Sequence, residues 1–522
     1  MKKEKDNGTE LPEKPGLHAT KNGQPKKGEK LTFSQQTVKF INNLPHYIRK
    51  AFAFFTVEPF LICFVLPNIV SALAVQKLNL EKACRVDLNY SEEICTKVIS
   101  GNADDNITIT ALNEASVMNA DMTAWKQPLQ SGIPALMILF VGAWSDRTGN
   151  RKALMLIPLI GELLSAIGLV LATYYFLEWP LWITALIEAL PPAFCGGLSI
   201  ALMGSYSYMA DVTNLENRTF RIGIVAVIVT LSVPIGSAIS GVLTEAIGYY
   251  GIFGSNVIMF IIGFIYTYFT VHDVKKVETE GTFLEKLKLF FHPNNVWDTI
   301  SLVVMSRGRR LIQLLLVIWA HIVIIGPVFG EGNNIYYYAL KKFNMDIVDF
   351  SLYSTYSTVM GIIGTMVAVT VFSKLLKFHD AILGIIATTC KVVSSFVFAF
   401  APTRDWFYAG PAFDIFGNSG VTAIRSLGTK VVEPEEVGKI CSLIGFVEAV
   451  AQAVYSPIYS KLYANTVETF PGMFYILGGI MTIPDFFIFI TIYIFYRKQQ
   501  RDVVTNPDAK EMYAHENAVT AL

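Results

Sequence analysis

Long apolar stretches dominate the chain between about residues 51 and 496, and short polar segments separate them. An α-helix of about 20 apolar residues crosses a hydrocarbon core about 30 Å thick. Many of the stretches are apolar on all faces of a helix rather than along one stripe, which is typical of lipid-embedded segments. The pattern predicts an all-α membrane protein with twelve transmembrane helices, at about residues 51–76, 124–145, 152–176, 180–210, 221–247, 252–272, 309–331, 350–373, 379–401, 406–426, 438–464 and 472–496.

A polar, basic segment near the middle of the chain divides the predicted spans into six and six. Within it, apolar and basic residues alternate between Phe283 and Phe290, which predicts either a helix lying on the membrane surface or a plain linker. The residues before the first span are polar and rich in lysine, and we expect them to be a disordered cytosolic tail. The predicted domains are a tail at 1–50, a six-helix bundle at 51–272, a linker at 273–308, a second six-helix bundle at 309–497 and a tail at 498–522.

Lysine and arginine concentrate in alternate loops, and this asymmetry sets the orientation of a membrane protein. By the positive-inside rule, both termini lie in the cytosol. The opposite loops are short, except for the segment at 77–123. In that segment Asn89 and Asn106 begin the triplets N-Y-S and N-I-T, which are glycosylation acceptors on the non-cytosolic side. Cys84 and Cys95 share the segment, and we expect them to form a disulfide.

Composition supports membrane residence and argues against several classes of function. Hydrophobic residues make up 52% of the 522 residues and charged residues only 16%, against about 25% in an average soluble domain. The net charge is zero, so no global field predicts a nucleic-acid partner. The sequence lacks a cysteine and histidine spacing of the kind that binds a metal, and we expect no cofactor. It also lacks the nucleophile-elbow motif of hydrolases, so we do not expect an enzyme.

The segment between the second and third spans has the form G-x-x-x-D-R-x-G-x-R-K and begins at Gly142. It places the carboxylate of Asp146 among the cations of Arg147, Arg151 and Lys152. A short hairpin with so many charges is costly beside a bilayer unless it lies at the cytosolic face. The motif resembles the loop between helices 2 and 3 of major facilitator superfamily transporters.

Four further segments narrow the resemblance to solute carrier family 46, which includes the proton-coupled folate transporter. They are Ala210-Asp211-Val212 at the end of the fourth span, Arg218-Thr-Phe-Arg221 at the start of the fifth, Val57-Glu58-Pro59 in the first and Ile424-Arg425 at the end of the tenth. The resemblance runs from about residue 50 to residue 497 and omits both tails.

The resemblance implies two six-helix halves, related by pseudo-two-fold symmetry, that rock about a site near the midplane of the membrane. In this fold the first, fourth, seventh and tenth spans line the cavity. The hairpin would act as a cytosolic latch that holds the outward-facing state; the alternative is that its basic residues are only topology signals. The expected cytosolic gate consists of Gly142, Asp146, Arg147, Gly149, Arg151, Asp211, Arg218 and Arg221.

Several positions depart from the family pattern. Ala226 stands where the folate transporter keeps an acidic residue in the fifth span, and Phe194 stands where it has an aspartate before the paired glycines of the fourth. The seventh-span histidine of that transporter falls near Val328, and the partner cysteine of its long-range disulfide is missing near Asn344. The fold and the transporter class therefore carry over to this chain, whereas folate and proton coupling do not.

Ionisable groups inside a membrane span cost roughly 2.5–3.5 kcal/mol on insertion scales, so each one is a functional candidate. Arg425 and Asp414 lie eleven residues apart in the tenth span, on nearly the same face of a straight helix and about 16 Å apart along its axis. We expect them to bracket one cavity, in which Arg425 binds a substrate carboxylate or phosphate through its bidentate fork. The alternative is that Arg425 is a cytosolic end charge that snorkels to the interface.

The candidates for proton coupling are Glu58, His321, Glu188 and Glu448. Glu58 lies at the start of the first span and is either a proton carrier or gate partner, or an interface carboxylate paired to a basic loop residue. His321 lies midway along the seventh span, where it either relays protons or is a satisfied core histidine. Glu188 and Glu448 are candidates to replace the acid missing from the fifth span.

Four other residues in or beside the spans carry weaker expectations. Tyr336 and Tyr337, near the outer end of the seventh span, are expected either to stack on a flat substrate or to anchor the span at the interface. Lys391 and Asp485 are expected to form a structural ion pair, with each other or with a neighbour.

We therefore expect a secondary active transporter that moves a small organic anion, folate-like or otherwise ring-bearing, by alternating access with proton symport. Two alternatives remain, a facilitator or exchanger of the same fold without proton coupling, and a transporter-derived receptor or sensor. The expected partners are the anion, protons, the lipid bilayer and a PDZ domain that binds Thr520-Ala521-Leu522, and the functional unit is expected to be a monomer. The expected location is the plasma membrane, with the endosomal or lysosomal membrane as the alternative.

Overall fold

The computed structural model describes residues 56–102, 105–213, 215–273, 297, 308–432 and 437–505. The predicted N-terminal tail, nearly all of the linker and the PDZ-type C-terminus lie outside these residues. The helices that follow the first six predicted spans are Glu58–Lys82 with a π-helical extension Ala83–Asp87, Asn106–Thr148, Arg151–Tyr174, the pair Leu181–Cys195 and Gly197–Val212, and the two parts of Leu215–Thr270. Those that follow the last six are Gly308–Gly332, Ile347–Val367 with an extension Ala368–Leu375, Asp380–Phe400, the pair Arg404–Phe413 and Ser419–Val431, Val437–Thr466 and Met473–Thr505.

Eight helical segments of the described residues are long and apolar enough to cross a membrane. One of them, Arg221–Thr270, has 50 residues, or about 75 Å at 1.5 Å per residue, and it is interrupted at Gly248, where φ is 64°. It therefore accounts for both the fifth and the sixth predicted spans. The tenth span does not meet the criterion because it is broken into helices of 10 and 13 residues. The second and eleventh spans carry polar residues, such as Gln127 and Gln452, that face each other.

The segment predicted as a loop at 77–123 is mostly helical, which corrects that boundary. The helix Asn106–Thr148 has 43 residues, or about 65 Å, and so is about twice as long as the hydrocarbon core is thick. The Cys84–Cys95 disulfide is confirmed and links the end of the first span to the short helix Glu92–Ile99. We call this end of the bundle the disulfide end. The opposite end, where Gly149 turns the chain into the third span, is the hairpin end.

The two halves share one buried apolar cluster, and it lies at the disulfide end. It contains Leu80 and Cys84 of the first span together with Tyr336, Tyr353 and Tyr459 of the second half. The other buried clusters formed by described residues each belong to a single half. The halves are therefore packed together at the disulfide end. The absence of a shared buried cluster among the described residues at the hairpin end indicates a crevice between the halves there.

Close helix contacts join the halves at the disulfide end. A Cβ atom on Gly241 of the fifth span would lie 2.6 Å from the carbonyl oxygen of Ile347 and 2.9 Å from Cα of Val348, at the start of the eighth span. Across the same interface, Ser351 donates its hydroxyl hydrogen to the carbonyl oxygen of Ser237 at 2.6 Å. Small residues allow the two backbones to approach this closely.

A buried ion pair fixes the hairpin end of the first half. Arg221 Nη2 of the fifth span lies 3.2 Å from Glu58 Oε1 of the first, and both side chains are buried. The second oxygen of Glu58 accepts the backbone N–H groups of Thr56 and Val57, at 2.7 and 3.0 Å. The Glu58 carboxylate therefore holds the start of the first span against the fifth.

We predict that Gly241→Val opens the disulfide end. The added side chain overlaps the backbone of the eighth span. Overpacking of this kind destabilises, by about 1–3 kcal/mol, the arrangement in which the disulfide end is packed. The labelling rate of a cysteine placed at buried Ser456, in a background without the four free cysteines, should rise about tenfold or more. Gly254→Val is the matched control, because a Cβ atom there meets nothing within 4 Å. Equal labelling rates in the two variants would contradict this role of Gly241.

We predict that Glu58→Gln lowers the thermal unfolding midpoint of the purified protein. The substitution breaks the buried ion pair with Arg221, and breaking such a pair costs about 3–5 kcal/mol. Asp349→Asn serves as control, because its pair with Arg404 is partly exposed and is worth about 0–1 kcal/mol. If both variants unfold at the wild-type temperature, Glu58 does not hold the bundle together.

Candidate substrate site and gate

Three charged or titratable side chains from three spans meet around one oxygen atom. Glu448 Oε1 of the eleventh span lies 2.9 Å from His321 Nε2 of the seventh span. The same oxygen accepts a hydrogen bond from Arg425 Nη2 of the tenth span. Sequence analysis named the three residues separately, but it could not predict that they share an atom.

Burial of the three side chains increases from Arg425 to His321. The exposed fraction is 55% for the Arg425 side chain, 22% for Glu448 and zero for His321. Arg425 also lies within electrostatic reach of Tyr206, on the fourth span of the other half. The guanidinium is therefore directed towards the space between the halves, where part of it stays accessible.

The hydrogen atoms of this cluster follow from the chemistry of the partners. A carboxylate only accepts hydrogen bonds, so Nε2 of His321 must carry the hydrogen that points to Glu448. Nδ1 is then the ring nitrogen that can take a second proton, and it has no hydrogen-bond partner among the described residues. The cluster can therefore bind a proton without losing a bond that it already makes.

The expected bracket of Arg425 and Asp414 is wrong. The straight helix assumed for it ends at Phe413, and the next helix begins only at Ser419. Asp414 lies at this break and faces the ninth span, where its Oδ2 is 3.8 Å from Lys391 Nζ. The interruption changes the helical phase, so the eleven-residue spacing no longer places Asp414 and Arg425 on one face.

Tyr336 and Tyr337 do not line a crevice in this arrangement. Both are buried in the cluster that the two halves share at the disulfide end. The Tyr336 ring packs edge-on against Phe350, with centroids 5.2 Å apart. Their burial corrects the prediction that they contact substrate, since neither ring is accessible while the disulfide end is packed.

Glu188 is held in a buried network of the first half. Lys126 Nζ of the second span lies 2.5 Å from Glu188 Oε2, and Asn79 of the first span donates to Glu188 Oε1 at 2.8 Å. Sequence analysis missed Lys126, because it lies near the predicted start of a span, where a lysine usually reaches the interface. The network compensates the charge of Glu188.

The hairpin is braced by pairs within the first half. Arg151 Nε contacts Asp211 Oδ2 at 3.0 Å, and Nη1 donates to Ser145 Oγ at 2.7 Å. Asp273 Oδ1 accepts the backbone N–H groups of Arg151 and Lys152, so a carboxylate caps the N-terminus of the third span.

The remaining gate residues are only partly described. Gly142 has Met203 Sδ as the nearest atom to an added Cβ, and the left-handed φ of Gly149 ends the second span. Arg147 is exposed at the end of that helix. The side chains of Asp146 and Arg218 lie outside the described residues.

The second half carries a matching pair with the charges exchanged. Arg151 is the first residue of its helix, and Asp211 is next to the last residue of its own. Asp380 and Lys430 occupy the same two positions in the ninth and tenth spans, with Oδ2 and Nζ 2.7 Å apart. At the hairpin end, each half therefore has an ion pair that joins the corresponding two spans.

Asn89 and Asn106 are exposed at the disulfide end, where a glycan would have room. Their glycosylation stays a prediction.

Comparison with known proteins supports the fold that these contacts describe. The family model for the Major Facilitator Superfamily matches residues 106–456. Human MFSD10 (TETRAN), whose crystal structure is described as that of an organic anion transporter, superposes with a TM-score of 0.54 at 13% identity, over 83% of this chain and 98% of that one. A peptide transporter of the POT type in complex with alafosfalin gives a TM-score of 0.52 at 13% identity, over 81% and 93% of the two chains.

Relatives with curated names are members of solute carrier family 46. A Drosophila melanogaster protein named probable peptidoglycan muropeptide transporter SLC46 is 22% identical over 82% of this chain and 83% of its own length. The Gallus gallus lysosomal proton-coupled steroid conjugate and bile acid symporter SLC46A3 is 22% identical over 81% and 90%. The Rattus norvegicus proton-coupled folate transporter is 25% identical over 67% and 73%.

The matched family and the helical architecture agree with the resemblance seen in the sequence. The all-α fold of two six-helix halves is confirmed, and the relatives are transporters rather than enzymes. The chain belongs to the Major Facilitator Superfamily and is a multi-pass membrane transporter of a small molecule.

Proposed function

We propose that the protein carries a small organic anion together with a proton, and that Arg425 binds the anion. The oxygen of Glu448 that His321 and Arg425 share is the observation that carries this proposal. The two donors compete for this carboxylate. A change in the charge of His321 therefore alters the strength of the hydrogen bond between Glu448 and Arg425.

Protonation of His321 would release Arg425. An imidazolium at His321 attracts the Glu448 carboxylate more strongly than a neutral ring does. The bond between Glu448 and Arg425 weakens accordingly. The freed guanidinium can then bind a carboxylate, sulfate or phosphate group with two parallel hydrogen bonds.

Charge balance favours binding of the proton and the anion together. With a neutral His321, Arg425 and Glu448 form a neutral pair. A monoanion alone would leave the site with one excess negative charge in a medium of low dielectric, and a proton alone would leave one excess positive charge. The two ligands together leave the net charge unchanged, so the loaded site can be enclosed at low cost.

The names of the relatives favour the same chemistry. Two of them are called proton-coupled, and one of these moves steroid conjugates and bile acids while the other moves folate. We therefore propose a ring-bearing anion with at least one carboxylate or sulfate group as the substrate of this chain. The muropeptide of a further relative widens the set of compounds to test.

We propose that the hairpin end faces the cytosol. The basic residues of alternate loops favour this orientation, and the disulfide then lies in an oxidising compartment. In that orientation the crevice is open to the cytosol. The ion pairs Arg151–Asp211 and Asp380–Lys430 brace the two faces that must meet when this end closes. The orientation is the same for the plasma membrane and for the lysosomal membrane.

We predict that Arg425→Ala abolishes saturable uptake of radiolabelled folate, a bile acid or a steroid sulfate into proteoliposomes under an acid-outside gradient. Loss of charge-assisted hydrogen bonds worth about 2–3 kcal/mol should raise the Kd of the transported anion about 30- to 150-fold. Arg404→Ala is the control, because this arginine pairs with Asp349 at the disulfide end. If the wild type binds the anion without uptake, a sensor is favoured. If uptake does not depend on the pH gradient, a facilitator or exchanger is favoured.

We predict that His321→Gln lowers the pH dependence of anion binding. The proton bound at His321 with each anion increases affinity as the pH falls, by at most about tenfold per pH unit. Glutamine still donates a hydrogen bond to Glu448, but it cannot take a proton. Isothermal titration at several pH values should give a slope of log Kd against pH that is smaller in the variant than in the wild type, by up to one proton. An undiminished pH slope would exclude His321 as the proton acceptor.

A further inference from the structure

A second charged cluster lies in the C-terminal half, away from Arg425. Lys391 Nζ of the ninth span is 2.7 Å from Glu331 Oε2 at the end of the seventh span. The same nitrogen is 3.8 Å from Asp414 Oδ2, at the break in the tenth span. Sequence analysis expected a structural pair for Lys391 and did not single out Glu331, which falls at the last residue of a predicted span.

Two carboxylates share a single cation in this cluster. Glu331 and Asp414 with Lys391 have a net charge of minus one when all three groups are ionised. The Glu331 side chain is 9% exposed and that of Asp414 is 27% exposed, so both carboxylates are largely withdrawn from water. The excess charge is costly there, because the more distant carboxylate lacks a close counter-ion. One bound proton makes the cluster neutral.

Buried polar atoms without hydrogen-bond partners among the described residues also favour a bound proton. Glu331 Oε1 and Asp414 Oδ1 are buried without a hydrogen-bond partner among the described residues, as are the hydroxyl groups of Tyr353, Tyr459 and Tyr475. The three tyrosines are at most 1% exposed. A protonated carboxyl group donates as well as accepts, so a bound proton adds a donor to this set of buried groups.

The groups that face the cluster come from all six spans of the second half. They are Glu331 on the seventh span, Tyr353 on the eighth, Lys391 and Ser394 on the ninth, Asp414 with Tyr408 on the tenth, Tyr459 on the eleventh and Tyr475 on the twelfth. Gly478 of the twelfth span leaves room for this arrangement, because a Cβ atom there would overlap Glu331 Oε1. Lys391 is the one cation in this set of described residues.

The cluster lies directly behind the contact that closes the disulfide end. Asn333 is two residues beyond Glu331, and its Nδ2 donates to Ser456 Oγ at 2.6 Å. Its Oδ1 accepts from Gln127 Nε2 of the other half at 3.4 Å. Opening of this contact would bring water to Glu331 and so give protons a route to the cluster from that side.

We propose that Glu331, Lys391 and Asp414 form a second proton-binding site, with Asp414 as the acceptor, so that two protons accompany each anion. Asp414 is assigned because its carboxylate is farther from Lys391 than that of Glu331. The first proton is the one bound at His321. The stoichiometry therefore rests on the proposed function, whereas the presence of a proton at Asp414 does not.

We predict that Asp414→Asn halves the number of protons coupled to each anion. With the membrane potential clamped at zero, two protons per monoanion drive accumulation of about 100-fold per unit of pH gradient, and one proton drives about tenfold. Proteoliposomes loaded with a series of internal buffers and supplied with radiolabelled folate, a bile acid or a steroid sulfate measure this slope. The variant keeps the Glu331–Lys391 pair, and we expect it to retain exchange of labelled for unlabelled anion at equal pH.

Asp349→Asn is the matched control for the slope, because it removes a partly exposed carboxylate of the same half outside the cluster. Asp414→Glu should restore the wild-type slope, since it restores a carboxyl group. A wild-type slope of one proton, or a slope of two protons in Asp414→Asn, would overturn the proposal.

A measurement that needs no transport separates this proposal from the proposed function. The purified wild type should show the infrared carbonyl band of a protonated carboxyl group, and Asp414→Asn should lose part of it. Asp485→Asn is measured in parallel, because Asp485 is another buried carboxyl without a partner among the described residues. If the wild type accumulates no anion, the proposed function fails and the band still decides the proton site. A spectrum unchanged by Asp414→Asn overturns the proton site by itself.

Discussion

An uncompensated charge inside the membrane is the constraint on which the arrangement of this protein depends. Its cost on insertion scales is roughly 2.5–3.5 kcal/mol, comparable to a large part of the stability of a folded domain. Each ionised group in a span must therefore face a partner or water. Three ion pairs of the first half each join one carboxylate to one cation: Arg221 with Glu58, Lys126 with Glu188 and Arg151 with Asp211. Glu162 lies against Asn68, and the buried ammonium of Lys82 donates to the backbone carbonyls of Phe176 and Trp179.

The second half is built differently, because its carboxylates do not match its cations one to one. Glu448 serves both Arg425 and a histidine, Lys391 serves two carboxylates, and Asp485 has no partner among the described residues. Groups that lack a fixed counter-ion are the ones whose protonation changes with their surroundings. In the proposed mechanism the second half is therefore the part that responds to protons.

This asymmetry gives a physical account of the family acid missing at Ala226. An acidic residue in the fifth span would be a titrating group of the first half, where Glu58, Glu188 and Asp211 each face a cation. The acid that faces Arg425 is Glu448, in the eleventh span of the second half. The proposed proton-binding chemistry therefore lies in the second half, within the same fold of two six-helix halves.

The sequence predicts the spans well, because a run of apolar residues is a local signal. It predicts the disulfide for a similar reason, since the two cysteines lie in one short segment. Charged residues in spans are equally visible, so His321, Arg425 and Glu448 could each be named. Their shared oxygen could not, because contacts between spans depend on helix phase and tilt that no single span encodes. Asp414 shows this most clearly: a break of a few residues turned it from the predicted crevice towards Lys391.

Two charged residues at the ends of predicted spans could not be recognised as buried from the sequence. Lys126 and Glu331 lie at the ends of predicted spans, where a charge ordinarily reaches water and needs no partner. In the structure the second span begins at Asn106 and runs for about 65 Å in total, and a further helix, Ile335–Phe343, follows the seventh span. Both residues are therefore enclosed by neighbouring helices, where each meets a counter-charge. A charge enclosed at the end of a span requires a counter-charge from another helix. The packed disulfide end is therefore held by polar contacts as well as apolar ones. In the proposed mechanism, a proton that weakens those polar contacts favours opening of this end.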